Sequence, residues 1–376
     1  MHCPRLDHFA KILPHDQKEN QTVVMNCCVM TNAPLFDSYD EMMSSEWLST
    51  TKKLFSKNRW PNECVRCKEQ EKIGVKSDRL QWIDFHQNLL IDHGADYLTV
   101  SMMLDNVCNT ACQFCNPHIS SKIASLQKLP LKIQQIGPYG EKLPLHRISS
   151  KIASLQKLPL TIRQVGPYEE KLPLHRITQI DLEGGEPSNS KNVKQLLTNL
   201  PQQVKTITIY TNARCFLDEL VPVAERNIQV RISISLDGVG PVQEYVRWPT
   251  QWSEFCQTIE KYKELQIRFP DTVSVTFKTT ICALNLFDLP NIINFAEKQN
   301  VRHSVSQLAY PRALQISSTN SYTLSARKQL EKSPIEVCQQ FALGTATQKE
   351  NQQEIDKFID QQDTLRKISI KDYIVN

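Results

Sequence analysis

Between about residues 95 and 310 the chain alternates short apolar runs with amphipathic stretches, and that rhythm leaves few folds open. Short runs rich in β-branched and aromatic residues read as buried strands. Strands alternating with helical stretches predict βα units around a parallel sheet. The first run is Tyr97-Leu-Thr-Val-Ser-Met-Met-Leu104, and five more follow at Thr178–Leu182, Thr206–Tyr210, Val230–Leu236, Thr272–Thr280 and Val301–Gln307. Helices are expected between them, among them Lys191–Leu200 and Trp252–Phe269. A closed barrel of this kind takes eight strands. Six therefore predict an α/β fold with an open, partial (β/α)6 TIM-like barrel over residues 95–315. Residues 1–94 read as a small cysteine-rich domain ahead of it, and residues 316–376 as a polar helical tail. From Ser325 onward that tail reads as one or two surface helices plus an end segment, Ile368–Ile374.

The first strand runs into Cys108-Asn-Thr-Ala-Cys-Gln-Phe-Cys-Asn-Pro117, which offers Cys108, Cys112 and Cys115 at the spacing Cys-x3-Cys-x2-Cys. A cubane iron–sulfur cluster normally takes one cysteine thiolate per iron, so three leave one iron open. The same logic separates closed structural metal sites from open catalytic ones. Zinc ligation, or thiols packed as small apolar groups, are the competing uses. A polar loop at the C-terminal end of a first barrel strand is where a barrel enzyme places its chemistry, and it favours the cluster.

The next strand ends in Asp181-Leu-Glu-Gly-Gly-Glu-Pro187. Paired glycines let a ligand approach the backbone with no Cβ in the way; an ordinary strand-to-helix turn is the plainer use. The third ends in Ile209-Tyr-Thr-Asn-Ala213 and the fourth in Ser233-Ile-Ser-Leu-Asp-Gly238. Small polar residues at that face suit a barrel active site, although Asn, Ser and Asp favour turns in any case. Arg247 could pair a carboxylate bidentately, with a surface salt bridge as the commoner fate of such an arginine, and Asn285 follows the fifth strand.

In this order the segments resemble the radical SAM (S-adenosylmethionine) superfamily. The resemblance implies that Cys108, Cys112 and Cys115 hold a catalytic [4Fe–4S] cluster, and that Gly184, Gly185, Glu186 and Pro187 line the SAM site. It extends that site to Thr211, Asn212, Ser235 and Asp237, with Ser235 toward the SAM carboxylate or ribose. It implies reductive cleavage of SAM to a 5′-deoxyadenosyl radical, which abstracts a hydrogen from substrate. The electron would come from a flavodoxin or ferredoxin. A peptide is the favoured substrate, a sugar or nucleotide-linked small molecule the alternative. Residues Cys3, Cys27, Cys28, Cys64 and Cys67 resemble the ligand set of a twitch (SPASM-like) domain, which holds an auxiliary iron–sulfur cluster. Four thiolates fit structural zinc as well, and Cys27 and Cys28 are adjacent, so either could ligate. The competing reading for the whole chain is a non-catalytic iron–sulfur or zinc protein, a redox sensor or binding module.

Composition narrows the setting. The chain has 376 residues, a formal net charge of +4 and twelve cysteines. That charge is too mild to imply nucleic-acid binding. No apolar run is long enough to span a membrane, and the start, Met1-His-Cys-Pro-Arg, has no basic-then-apolar order of a signal peptide. A cytoplasmic protein is expected, with thiols kept reduced and free for ligation. Cys215, Cys256, Cys282 and Cys338 stand singly and read as plain free thiols.

Residues 120–148 and 149–177 form a tandem repeat of 29 residues that differs only at Lys132/Thr161, Gln134/Arg163, Ile136/Val165 and Gly140/Glu169. Two copies are too few for a solenoid. Lying on the crossover between the first and second barrel strands, the extra copy is expected to loop out, since lengthening a loop costs little entropy. A lid or docking element is the alternative. Deleting 149–177 is expected to leave folding and SAM cleavage intact; loss of cleavage with folding retained would establish the lid.

Overall fold

The computed structural model describes residues 1–14, 22–27, 29–30, 33–72, 76–117, 119–127, 169–308, 310–317, 319–335, 338, 341 and 351–374. Cys28 and the greater part of the tandem repeat, 128–168, lie outside the described residues. The strands are β1 (Phe9–Pro14), β2 (Thr22–Met25), β3 (Leu98–Met102), β4 (Ile177–Leu182), β5 (Thr206–Thr211), β6 (Gln229–Ser235), β7 (Val273–Ile281) and β8 (Arg302–Gln307). Their order in the sheet is β2-β1-β3-β4-β5-β6-β7-β8. β1 pairs antiparallel with β2, while β1–β3, β3–β4, β4–β5 and β7–β8 are parallel. The sheet is therefore open and mostly parallel, the α/β arrangement of a partial TIM-like barrel. Strands β3 to β8 are the six expected ones, with ends within two residues of the expected bounds. β1 and β2 are additional: Phe9-Ala-Lys-Ile-Leu-Pro14 lies in the stretch that its cysteines mark as a separate small domain, yet it pairs with β3.

The chain builds two compact units from separate stretches: residues 1–106, 163–209 and 219–230 in one, residues 107–162, 210–218 and 231–376 in the other. In the first, register decides what each face of β1, β3, β4 and β5 presents. Ala10, Val100, Ile180 and Ile207 align across the strands, as do Ile12, Met102, Leu182 and Ile209, and all are buried. Side chains alternate faces along a strand, so the residues between these rows share the opposite face. There Lys11, Ser101, Asp181 and Thr208 align. Helix Glu46–Ser56 starts at Ser45, whose hydroxyl accepts from Leu48 N, and helix Asp78–His93 starts at Ser77, which accepts from Leu80 N. Such caps satisfy amide groups that the first turn leaves unpaired. Leu48 and Phe55 of the first helix join Leu6, Met30, Cys3, Cys27 and Cys64 in one apolar cluster.

In the second unit β7 buries Val273, Val275, Phe277, Thr279 and Ile281 in strict alternation. Helix Trp252–Arg268 buries Phe255, Ile259, Tyr262 and Leu265, spaced to share one helical face. The polar tail departs from expectation. Helix Ser321–Leu330 opens with a reciprocal cap between Asn320 and Thr323, and helix Gln352–Arg366 is not a surface helix. Its Ile355 and Ile359 enter a core cluster with Tyr245, Val246, Leu284 and Leu314. Two isoleucines a turn apart carry that burial amid Gln, Asp and Lys, so composition hid it.

Candidate active site

The loop after β3 takes its shape from outside itself. Ala111 N donates to Trp248 O at 2.7 Å and Gln113 N to Val246 O at 2.8 Å, so residues 246–248 act as a backbone template. Cys115 N closes a turn onto Cys112 O at 3.2 Å. Ser121 Oγ accepts from Cys108 N at 3.0 Å, and Ser120 Oγ donates to Thr110 O at 2.7 Å while capping helix Ser121–Leu126. Thr110 Oγ1 lies 3.3 Å from Cys108 Sγ and 3.5 Å from Cys112 Sγ, so two of the three sulfurs flank one hydroxyl. Burial pushes the Cys115 thiol up, and the Cys112 and Cys108 sulfurs push it further. Metal binding displaces such protons, so a closed ligand shell is a property of the loaded site.

The strand ends contribute in different ways. Asn212 Nδ2 donates to Asn109 Oδ1 at 2.8 Å and to Thr110 Oγ1 at 3.1 Å, tying the end of β5 to the cysteine loop. Thr211 Oγ1 accepts from Ala213 N at 3.0 Å. Ser235 is half-buried, and its carbonyl accepts from Gln243 Nε2 at 3.1 Å. Asp237 is fully buried: Oδ1 accepts from Thr280 N at 2.7 Å and Oδ2 from Arg247 Nε at 2.6 Å. Arg247 is accordingly not the surface salt bridge its isolation suggested. Burial is the largest single influence and works against its charge, but Asp237 together with the Cys112 and Cys115 sulfurs holds the guanidinium above the usual arginine range. Its Nη1 lies 3.8 Å from Cys112 Sγ. Asn285 Nδ2 donates to Asp237 O and Thr280 O, and its Oδ1 accepts from Cys282 N, so this side chain braces the strand ends. Sequence reasoning missed Arg366, which donates to the carbonyls of Ala111 and Cys112 from 255 and 254 residues away. No local motif marks it.

In the first unit Gly184 and Gly185 have φ of +76° and +54°. A Cβ on Gly184 would collide with Met103 Cγ, so the turn needs glycine on two counts. Glu186 is 2% exposed, and its Oε1 accepts from Ser188 N at 3.3 Å and Ser188 Oγ at 2.9 Å. Pro187 opens a short 3₁₀ turn and is buried.

Cys3, Cys27, Cys64 and Cys67 are all buried and line one cavity with Phe55, Trp60, Arg5 and Arg79. Arg5 Nη1 donates to Cys27 Sγ at 3.4 Å. Burial, then the Cys27 sulfur, pushes the Cys3 thiol up to about 12, and burial raises Cys64 and Cys67 as well. Among the described residues no three His, Cys, Asp or Glu side chains stand as a formed metal-ion site. The convergence of four thiols on one cavity is the weightier observation, because raised thiols hold protons that a metal must first displace.

A family model described as the radical SAM superfamily matches residues 103–296, more than half of the chain, and the chain belongs to that superfamily. Its members use a [4Fe–4S] cluster and SAM. The residues here fit that pair: three thiols, no competing ligand type between them, and guanidinium groups beside them. No curated protein matches the chain. Among solved structures it is similar to Streptococcus suis SuiB bound to the precursor peptide SuiA, at 14% identity over 80% of this chain and 62% of that one, with a TM-score of 0.35. It is also similar to native anSMEcpe with bound AdoMet, at 13% identity over 72% of this chain and 62% of that one, with a TM-score of 0.37. The chain thus spans less than two thirds of the length of these structures. Among the described residues no helix is long and apolar enough to cross a membrane.

The Gly184 turn can be tested directly. Gly184→Ala is expected to cost about 1–2 kcal/mol from the left-handed backbone alone, plus the contact with Met103, in a urea melt. Adding Met103→Ala should recover the contact part and leave the backbone part. Unchanged stability in the single variant would contradict both causes.

Proposed function

We propose that this chain is a radical SAM enzyme whose catalytic cluster is held by Cys108, Cys112 and Cys115. The observation that carries the reading is the loop itself: three cysteines at ligand spacing, two of whose sulfurs flank one hydroxyl, on a template supplied by residues 246–248. The loaded cluster, with SAM on its open iron and an electron from a flavodoxin or ferredoxin, supplies a 5′-deoxyadenosyl radical that takes hydrogen from substrate. The chain's residues bind, orient and exclude water, as protein does around any cofactor that carries the hard chemistry. Asn212 fixes the loop against β5, and Arg247, held by Asp237, sets a positive charge against Cys112. The turn at Gly184, Gly185, Glu186 and Pro187 receives the SAM amino group and Thr211 and Ser235 serve the rest of SAM, while Asp237 acts through Arg247.

Cys3, Cys27, Cys64 and Cys67 hold an auxiliary iron–sulfur cluster in this reading. Four protein thiolates close every iron, which favours electron relay over anchoring of substrate. A peptide substrate follows from the resemblance to auxiliary-cluster enzymes. One observation favours the sugar or nucleotide-linked class instead. The aligned row Lys11, Ser101, Asp181 and Thr208 is polar, with Lys11 and Ser101 already engaged by Glu183, where a pocket for an apolar side chain would need apolar lining.

The test is SAM cleavage by anaerobically reconstituted, dithionite-reduced protein. Wild type is expected to release 5′-deoxyadenosine and Cys112→Ala none. A loaded wild type that neither cleaves nor binds SAM would leave the non-catalytic cluster or zinc protein in its place.

A further inference from the structure

Helix Gln352–Arg366 ends on a charge with no obvious counterpart. Arg366 is 3% exposed. Nε donates to Ala111 O at 2.7 Å and Nη2 to Cys112 O at 3.0 Å. Nη1 donates to Gln362 O at 3.0 Å and to Gln362 Oε1 at 2.6 Å. All four acceptors are neutral. Among the described residues no carboxylate stands at ion-pair distance from it. Asp363, one turn back, is engaged elsewhere: it accepts from Tyr245 Oη at 2.8 Å and from Ile370 N at 2.7 Å.

An ionised group buried without a counter-charge is expensive. Around Cys112 stand two guanidiniums, Arg247 and Arg366. Asp237 ion-pairs with Arg247, while Asp363 acts on Arg366 only from beyond ion-pair distance, so among the described residues Arg366 has no direct ion pair. The group that would balance its charge is the thiolate-ligated cluster, whose negative charge grows by one on reduction.

We infer that Arg366 is a positioning residue for the catalytic cluster: the last turn of the C-terminal helix grips the carbonyls of Ala111 and Cys112 and supplies the buried cation that the loaded, reduced loop requires. The inference rests on the cluster reading above. It makes the tail, 255 residues from the loop in sequence, part of the redox site. A nearby cation stabilises the more negative reduced state, so it raises the reduction potential, which net charge and hydrogen bonding around a cluster set. The bidentate fork also fixes the loop in a way a point charge cannot.

The test compares wild type with Arg366→Met and Arg366→Lys, and with Lys357→Met as a control that removes an exposed charge from the same helix. Iron retention against a chelator, the midpoint potential of the cluster by EPR titration, and melting of apo and loaded protein are read for each. Arg366→Met is expected to lose iron about 10–100-fold faster, as outer partners of metal ligands do, and to shift the potential negative. It is expected to melt below wild type when loaded, yet at or above it when apo, because an unbalanced buried charge has been removed. Arg366→Lys should restore the potential more than the iron retention, and Lys357→Met should match wild type. Equal destabilisation of apo and loaded Arg366→Met, with unchanged potential, would overturn the inference and leave a structural staple. A wild type that holds no iron at the loop would overturn it together with the cluster reading.

Discussion

The cysteine loop takes two of its backbone hydrogen bonds from the short segment 246–248, and much of the site follows from that template. Buried amides must find partners. Ala111 and Gln113 find theirs in the carbonyls of Trp248 and Val246. The same short segment carries Arg247, so the residues that shape the loop also deliver charge to Cys112. Asp237 holds Arg247, Thr280 N and Gln243 fix Asp237, and Asn285 braces its carbonyl. A loop of polar residues becomes rigid through groups that arrive from three later strand ends and one distant helix.

Electrostatics and sheet register cooperate in the proposed chemistry. A parallel sheet covered on both faces is ordinarily apolar on both. Here one face of β1, β3, β4 and β5 is apolar and the other carries Lys11, Ser101, Asp181 and Thr208. Lys11 pairs with Glu183, and Ser101 donates to the same carboxylate. That face is a polar row bonded within the protein rather than a second apolar layer. It also explains why β1 escaped notice, since Lys11 interrupts its apolar run.

Much of the barrel was legible because apolar runs of β-branched residues carry their own period, and β4 to β8 fall within a residue of their expected bounds. The loop cysteines were legible because ligand spacing is local. What was not legible is long-range pairing. Asp237 read as facing a ligand, yet its carboxylate accepts from Thr280 N and Arg247, protein groups that hold the strand ends in place. Arg247 read as a surface residue but is largely buried and ion-paired with the buried Asp237. Arg366 carries no signal in its neighbours, because its role depends on a loop some 250 residues earlier. The tail helix misled for a related reason: Ile355 and Ile359 decide its burial and its polar residues decide its composition.

The central claim is that Cys108, Cys112 and Cys115 leave one iron free for SAM. EPR of the reduced protein, with Cys64 and Cys67 replaced by alanine to remove the auxiliary signal, reads that iron directly. The account predicts a reduced-cluster spectrum whose g-values move when SAM is added. A spectrum unchanged by saturating SAM would show an iron already closed, and would contradict it.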